Sequence, residues 1–251
     1  MLGELEHQGG GWLDADTYVV PGSLRAARLA AGATLQAALA VGVGSADVAF
    51  AVVRPPGHHA SRARGTGFCL VNNVAVAVAG LRARGIAERI AIVDWDVHHG
   101  DGTQSIFDDD PAVCYASTHQ WPHYPGTGRR TETGSGAAIG TKHNRHLPPG
   151  SGDAAFTGAW RDELLPAIEA FAPEGILVSA GYDAHARDPL AELEVTDQGF
   201  EEVAELVGAL SLRLGLPGVA LTLEGGYDLA ALRASTAATV RGILAGRGNP
   251  E

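Results

Sequence analysis

Arg89-Ile-Ala-Ile-Val-Asp94-Trp95-Asp96-Val97-His98-His99-Gly100-Asp101-Gly102 is the stretch that decides the fold. Its first half, 89–95, is a short, nearly unbroken apolar run, the pattern of a strand covered on both faces. Its second half sets Asp94, Asp96, His98, His99 and Asp101 where such a strand would end. Ligands bind beyond the carboxyl ends of strands in open parallel sheets, so the run predicts both a sheet and a site at its edge.

Moving outward, four further apolar runs read as strands: 47–53, 112–117, 175–180 and 218–223. Between them, Ala- and Leu-rich segments at 21–40, 72–84, 154–171, 197–214 and 229–245 read as helices. Pro21 suits an opening helical turn, and Thr196-Asp197 suits a cap. Right-handed crossovers then give an α/β fold, a three-layer αβα sandwich with a mainly parallel sheet. The segment 117–153, rich in Gly, Pro, His and Thr, predicts a long loop with at most one short strand. Loops of that length inside a compact domain are often functional.

The chain has 251 residues, 45% of them hydrophobic, enough for one core, so a single domain over 1–251 is expected. A formal net charge of -11 argues against a broad nucleic-acid or anionic-membrane footprint and favours cationic partners. Cys69 and Cys114, both in apolar runs, predict buried reduced thiols rather than a disulfide framework. No run approaches the ~18 apolar residues of a membrane span, and no basic-then-apolar leader opens the chain, so a cytoplasmic location is expected.

Five polar clusters fall at the ends of the five strands: Arg54-Pro-Pro-Gly-His58-His59, the Asp94 to Gly102 run, Ser117-Thr118-His119, Gly181-Tyr182-Asp183 and Glu224-Gly225-Gly226-Tyr227. Convergence on one sheet edge would bring them together. Asp96 and His98, two apart on extended backbone, point to one side and can meet one cation, with Asp183 as the third ligand. Three protein ligands and an open position describe a catalytic zinc site, although the same O/N set suits Fe(II). Two carboxylates offset the cation's charge, which makes a separate base useful. His58 and His59 can supply it, with Asp94 and Asp101 to orient their rings. Gly225 and Gly226 let a ligand approach closely, and the Tyr227 hydroxyl can donate to a substrate carbonyl.

The chain resembles the histone deacetylases and related acetylpolyamine amidohydrolases, of the arginase-deacetylase fold. Six ordered motifs carry the resemblance: Arg54-Pro-Pro-Gly-His-His-Ala60, Gly67-Phe-Cys-Leu-Val-Asn-Asn73, Asp94-Trp-Asp-Val-His-His-Gly-Asp-Gly-Thr103, Tyr124-Pro-Gly-Thr-Gly128, Ser179-Ala-Gly-Tyr-Asp183 and Glu224-Gly-Gly-Tyr227. By that resemblance, Asp96, His98 and Asp183 bind zinc, and His58 and His59 form the acid-base pair oriented by Asp94 and Asp101. Tyr227 is then the transition-state tyrosine. Phe68 and Tyr124 wall a substrate channel, with Gly67, Leu190 and Gly225 beside it, and Asp16 matches a rim carboxylate. Asp94, Asp96, His98, Ser117 and Thr118 match a structural potassium site.

The resemblance implies a zinc-dependent deacetylase hydrolysing an N-acyl-lysine or similar acylated amine through a metal-bound water and the histidine pair. An apolar residue at Leu190, where an acidic one accompanies polyamine preference, favours acyl-lysine. The alternatives are an acetylpolyamine or other small N-acyl amine amidohydrolase, and a non-catalytic acyl-lysine binder. A two-metal ureohydrolase is disfavoured because further Asp and His ligands cannot be placed. Family members usually carry several dozen residues before the Asp14 region, so the sheet is expected to lack its usual N-terminal edge strand. The exposed edge offers a route to homo-oligomers.

Overall fold

The computed structural model describes residues 2–248. In chain order the strands are β1 (Gly11–Trp12), β2 (Tyr18–Val19), β3 (Val48–Ala51), β4 (Ile90–Asp94), β5 (Val113–Gln120), β6 (Lys142–Leu147), β7 (Gly175–Ala180) and β8 (Val219–Leu223). Strands β1 and β2 make a small antiparallel pair. The other six form one sheet in the order β3-β8-β7-β4-β5-β6, with every pairing parallel.

The helices are α1 (Leu2–His7), α2 (Ser23–Gly42), α3 (Asn73–Ala83), α4 (Asp101–Phe107), α5 (Asp153–Ala159), α6 (Leu165–Phe171), α7 (Asp197–Arg213) and α8 (Leu229–Gly246). Strand β4 shows why the sheet must be covered twice. Its Ile90 and Ile92 join Val74, Val78 and Leu81 of α3 on one face, while Ala91 and Val93 join Phe156, Trp160 and Val203 on the other. Alternate side chains point to opposite faces, so an apolar run with no polar alternation leaves two faces to bury. Two helical layers bury them and complete the αβα sandwich. No helix among the described residues is long and apolar enough to cross a membrane.

The 175–180 run coincides with β7, and the other four expected strands hold with shifted ends. Strand β5 runs on to Gln120, three residues past its expected end, because Ser117, Thr118 and His119 are themselves buried in the sheet. The stretch expected as a long loop with at most one short strand contains one, the polar strand β6, paired with β5 from Tyr115↔Lys142 to Gln120↔Leu147. Lys142, only 1% exposed, is accommodated because its ammonium donates to the Asp110 and Val113 carbonyls and to Thr141 Oγ1.

One expected helix start is corrected, and another holds with its cap side chain put to a different use. Pro21 precedes the cap of α2, which is Gly22, at φ 96°. Thr196 does occupy the cap of α7, but its hydroxyl donates to Asp153 Oδ2 (2.7 Å) instead of capping, and so ties α7 to α5. The segment expected as one helix over 154–171 is divided by a π-helical turn, Trp160–Leu164. Asn72 and Asp228 cap α3 and α8 by accepting from Ala75 N–H (2.9 Å) and Ala231 N–H (2.7 Å).

Candidate active site

Four of the five strand-end clusters meet at the carboxyl edge of the sheet around a cavity of about 270 Å³. His58 and His59 arrive on the turn after β3, Asp96 and His98 after β4, Asp183 after β7, and Gly225 and Tyr227 after β8. The fifth cluster does not reach the cavity. Ser117 Oγ instead meets His119 Nδ1 (3.0 Å), and Thr118 Oγ1 accepts from the Trp160 indole (3.2 Å).

Asp96, His98 and Asp183 bring three ligand atoms within 4.8 Å of one another. His98 Nδ1 lies 3.1 Å from Asp96 Oδ1 and 3.2 Å from Asp183 Oδ2. Backbone groups aim the carboxylates: Val97 N–H donates to Asp183 Oδ1 (2.9 Å), and Gly225 N–H donates to Asp96 Oδ2 (2.8 Å). Asp183 Oδ2 is buried without a hydrogen-bond donor. An orphan carboxylate oxygen beside a second buried carboxylate is costly unless a cation completes the set.

The electrostatics point the same way. Burial, then the neighbouring Asp96 carboxylate, pushes Asp183 up to about 6. Burial opposes ionisation of Asp96 as well, but His58 and His98 outweigh it and hold that carboxyl below its usual range. Burial would depress His98, yet the adjoining Asp183 and Asp96 carboxylates outweigh it and push the imidazole up to about 10. The pocket therefore favours positive charge between the two carboxylates. Oxygen and imidazole donors in this number fit a divalent ion such as zinc.

Above this triad, the two histidines are held differently. His59 Nδ1 lies 2.7 Å from Asp101 Oδ1, and His58 Nδ1 lies 3.2 Å from Asp94 Oδ2. Tyr115 also donates to Asp94 Oδ2 (3.0 Å). Burial depresses His58, but Asp96 and Asp94 outweigh it and hold the ring well above the ordinary histidine range. Burial, then the charge on His58, presses His59 down to about 4. One ring of the pair is thus disposed to be charged and the other neutral, the separation expected of distinct acid-base roles.

The aromatic residues stand at the mouth. Phe68 and Tyr124 are each 40% exposed. Tyr124 packs edge-on against His59 and Phe68 against Tyr227. Gly67, at φ 56°, sits where a Cβ would fall 2.5 Å from His59 Cδ2 and 3.0 Å from the Tyr124 hydroxyl, so the wall closes only over glycine. Leu190 and Asp16 complete the rim. A Cβ at Gly225 would collide with the Asp183 and Asp96 carboxylates, which places this glycine against the triad itself. Burial, then Asp183 and Asp96, keeps the Tyr227 hydroxyl protonated well above neutrality.

Two residues at the site were not singled out from sequence. His123 lines the cavity and stacks on His98 (centroids 5.1 Å apart, planes at 21°). Its position one residue before Tyr124, in the unusual Trp121-Pro-His-Tyr-Pro125 run, was the available signal. Asp188 accepts from Leu190 N–H (3.0 Å) and Tyr227 N–H (2.7 Å), tying rim to tyrosine. An Asp before Pro reads as an ordinary turn, so sequence alone hid that role.

A sequence profile described as "Histone deacetylase domain" matches residues 3–243. A "Probable deacetylase" of Archaeoglobus fulgidus is 43% identical over 226 residues, covering 90% of this chain and 63% of that protein. The crystal structure of the HDA15 HD domain superposes with a TM-score of 0.91 at 39% identity, covering 97% of this chain and 68% of that one. The crystal structure of acetylpolyamine aminohydrolase from Burkholderia pseudomallei gives a TM-score of 0.85 at 39% identity, covering 92% and 66%. The chain thus spans somewhat under two thirds of the archaeal relative.

Proposed function

The chain belongs to the histone deacetylase family, and from that membership we propose that it hydrolyses the amide of an N-acyl-lysine or similar acylated amine, releasing the free amine and a carboxylate. The observation that carries this reading is the triad of Asp96, His98 and Asp183 at the floor of a narrow cavity, with Asp183 Oδ2 lacking a donor. Those residues would hold a zinc ion. When bound there, it would polarise a carbonyl and acidify water.

The chain's own residues supply the rest. With Nδ1 engaged by Asp101, His59 has Nε2 left for the substrate side, where it takes a proton from the attacking water and returns it to the leaving nitrogen. His58, kept charged by Asp96 and Asp94, stabilises the negative charge that develops next to it. Tyr227 donates its hydroxyl hydrogen to the carbonyl oxygen. Phe68 and Tyr124 grip the alkyl chain and exclude water from its length.

Leu190, apolar and 42% exposed at the mouth, supports acyl-lysine over a polyamine, whose second ammonium would want a carboxylate there. Likeness to the acetylpolyamine aminohydrolase supports the second reading, as does the formal charge of -11. Acetate release from an acetyl-lysine peptide and from acetylputrescine separates the two. Tyr227→Phe is expected to lower kcat on the preferred substrate ~100-fold or more. Unchanged turnover would remove the tyrosine from the reaction, and no turnover with acyl-lysine tightly bound would leave only a binding module.

A potassium ion is also part of the proposal, held by oxygens of Asp94, Asp96, His98, Ser117 and Thr118. The register pairing Asp94↔Ser117 supports it by bringing these segments side by side. Strand β3, with β8 as its one neighbour among the described residues, is the edge through which a second copy would pair. The two buried free thiols suit a reducing compartment such as the cytoplasm.

A further inference from the structure

Arg54 and Glu224 belong to different turns, and each side chain grips the backbone of the turn that carries the other. Arg54 Nη1 donates to the Glu224 carbonyl (2.8 Å) and Nη2 to the Gly226 carbonyl (3.1 Å). In return, Glu224 Oε2 accepts from Gly57 N–H (2.6 Å) and His58 N–H (3.1 Å), while Oε1 accepts from Ser179 Oγ (3.0 Å). Four hydrogen bonds thus run both ways between the turn after β3 and the turn after β8. The two strands pair only as far as Ala51↔Thr222. Beyond that register no ladder holds the turns, yet they carry His58 and His59 on one side and Tyr227 on the other.

The chemistry of the pair fits this task. A guanidinium is a rigid planar fork and spans two carbonyls without losing much freedom per bond, which a lysine ammonium cannot do. Glu224 is fully buried. Burial raises its carboxyl, to about 7, while the His58 charge and the Gly57 N–H pull the other way. The Arg54 guanidinium also lies 5.6 Å from the centroid of the Tyr227 ring, a cation–π contact with the side chain whose turn it binds.

We propose that Arg54 and Glu224 form a reciprocal backbone clamp that sets the span between His59 and Tyr227, making both positioning residues for the deacylation. This rests on the reaction proposed above. His59 and Tyr227 must act on one carbonyl group at once, and a displacement of about 1 Å in such a pair costs up to ~100-fold in rate.

The clamp is tested on the full-length zinc-loaded protein by two readouts, one of which needs no turnover. In amide hydrogen exchange, Arg54→Met is expected to speed exchange ~10-fold or more at Gly57 and His58, although Arg54 bonds no amide there. An Arg54 with a merely local role would change only the 224–227 carbonyl side, and unaltered exchange at Gly57 and His58 overturns the clamp. In kinetics, Arg54→Met is expected to lower kcat ~10- to 100-fold with KM within about twofold. In a Tyr227→Phe background the same substitution should cost less than about twofold, because the group it positions is gone. Losses that multiply in the double variant overturn the proposal.

Glu224→Gln keeps one oxygen for the two amides and offers its NH₂ to Ser179, so it should retain kcat within about threefold, whereas Glu224→Ala should not. Equal losses in both contradict the clamp. Should Arg54→Met fail to fold by circular dichroism, Arg54→Lys decides, with the same exchange signature expected. Wild-type protein without amide hydrolysis would sink the deacylation reading alone, since the exchange signature still judges the clamp.

Discussion

Asp101 Oδ1 sits 2.7 Å from His59 Nδ1, delivered there by the first residue of a helix that leaves the ligand-bearing segment. That helix, α4, also donates Thr103 N–H to the His58 carbonyl (3.0 Å), so carboxylate and histidine turn are fixed against one frame. Asp101→Asn would keep the shape but let the ring adopt the wrong tautomer. The expected outcome is a kcat loss of ~100-fold or more with KM little changed. Steady-state kinetics checks it, and full activity would show that His59 needs no orienting charge.

Gly225→Ala places a Cβ against the Asp183 and Asp96 carboxylates and disturbs the N–H that holds Asp96 Oδ2. Zinc affinity should fall ~10- to 100-fold, read by competition with a chelating dye. Affinity equal to wild type would mean that the turn has slack to absorb the methyl group.

Neither Cys69 nor Cys114 is expected to react with a thiol reagent in the native protein. Both are fully buried, and burial pushes Cys114 up to about 12 and Cys69 well above its ordinary range. Labelling at pH 8 should be negligible before denaturation and reach both thiols in urea.

Much of the sheet was legible because its strands are covered on both faces, so apolar runs such as 175–180 mark themselves. The juxtaposition of Asp96 and His98 was legible for a related reason: extended backbone puts alternate residues on one side. Strand β6 was legible only as one short strand allowed within 117–153, since Lys-His-Asn-Arg-His-Leu has no apolar pattern and its pairing is fixed by β5. Helix α4 was hidden because it is seven residues long, opens on catalytic-looking residues and takes its stability from the turn it braces. Ser117 and Thr118 looked like residues of a strand end, but pairing carries β5 past them to Gln120. The Arg54–Glu224 clamp acts through backbone atoms, which leave no trace in side-chain pattern.

Stability should carry an acid dependence at Asp110. Burial opposes its ionisation, but the Arg82 guanidinium, 2.6 Å away, and the Ala112 N–H outweigh it and lower the carboxyl. A carboxyl depressed on folding contributes stability above its unfolded value, ~3.9, and loses it as pH falls through the lower folded value. Asp110→Asn should therefore cost about 1 kcal/mol at pH 7 and nothing in strong acid. Urea unfolding of both proteins at several pH values reads the difference, and a pH-independent cost would assign it to packing.

The most direct test of the account is calorimetric titration of zinc into metal-stripped protein, for wild type and Asp183→Asn. One ion should bind wild type, and the substitution should weaken it by ~100-fold or more, because it neutralises the carboxyl whose Oδ2 lacks a donor. Equal affinity in the two proteins, or no binding to wild type, would contradict the assignment of Asp96, His98 and Asp183 to one metal.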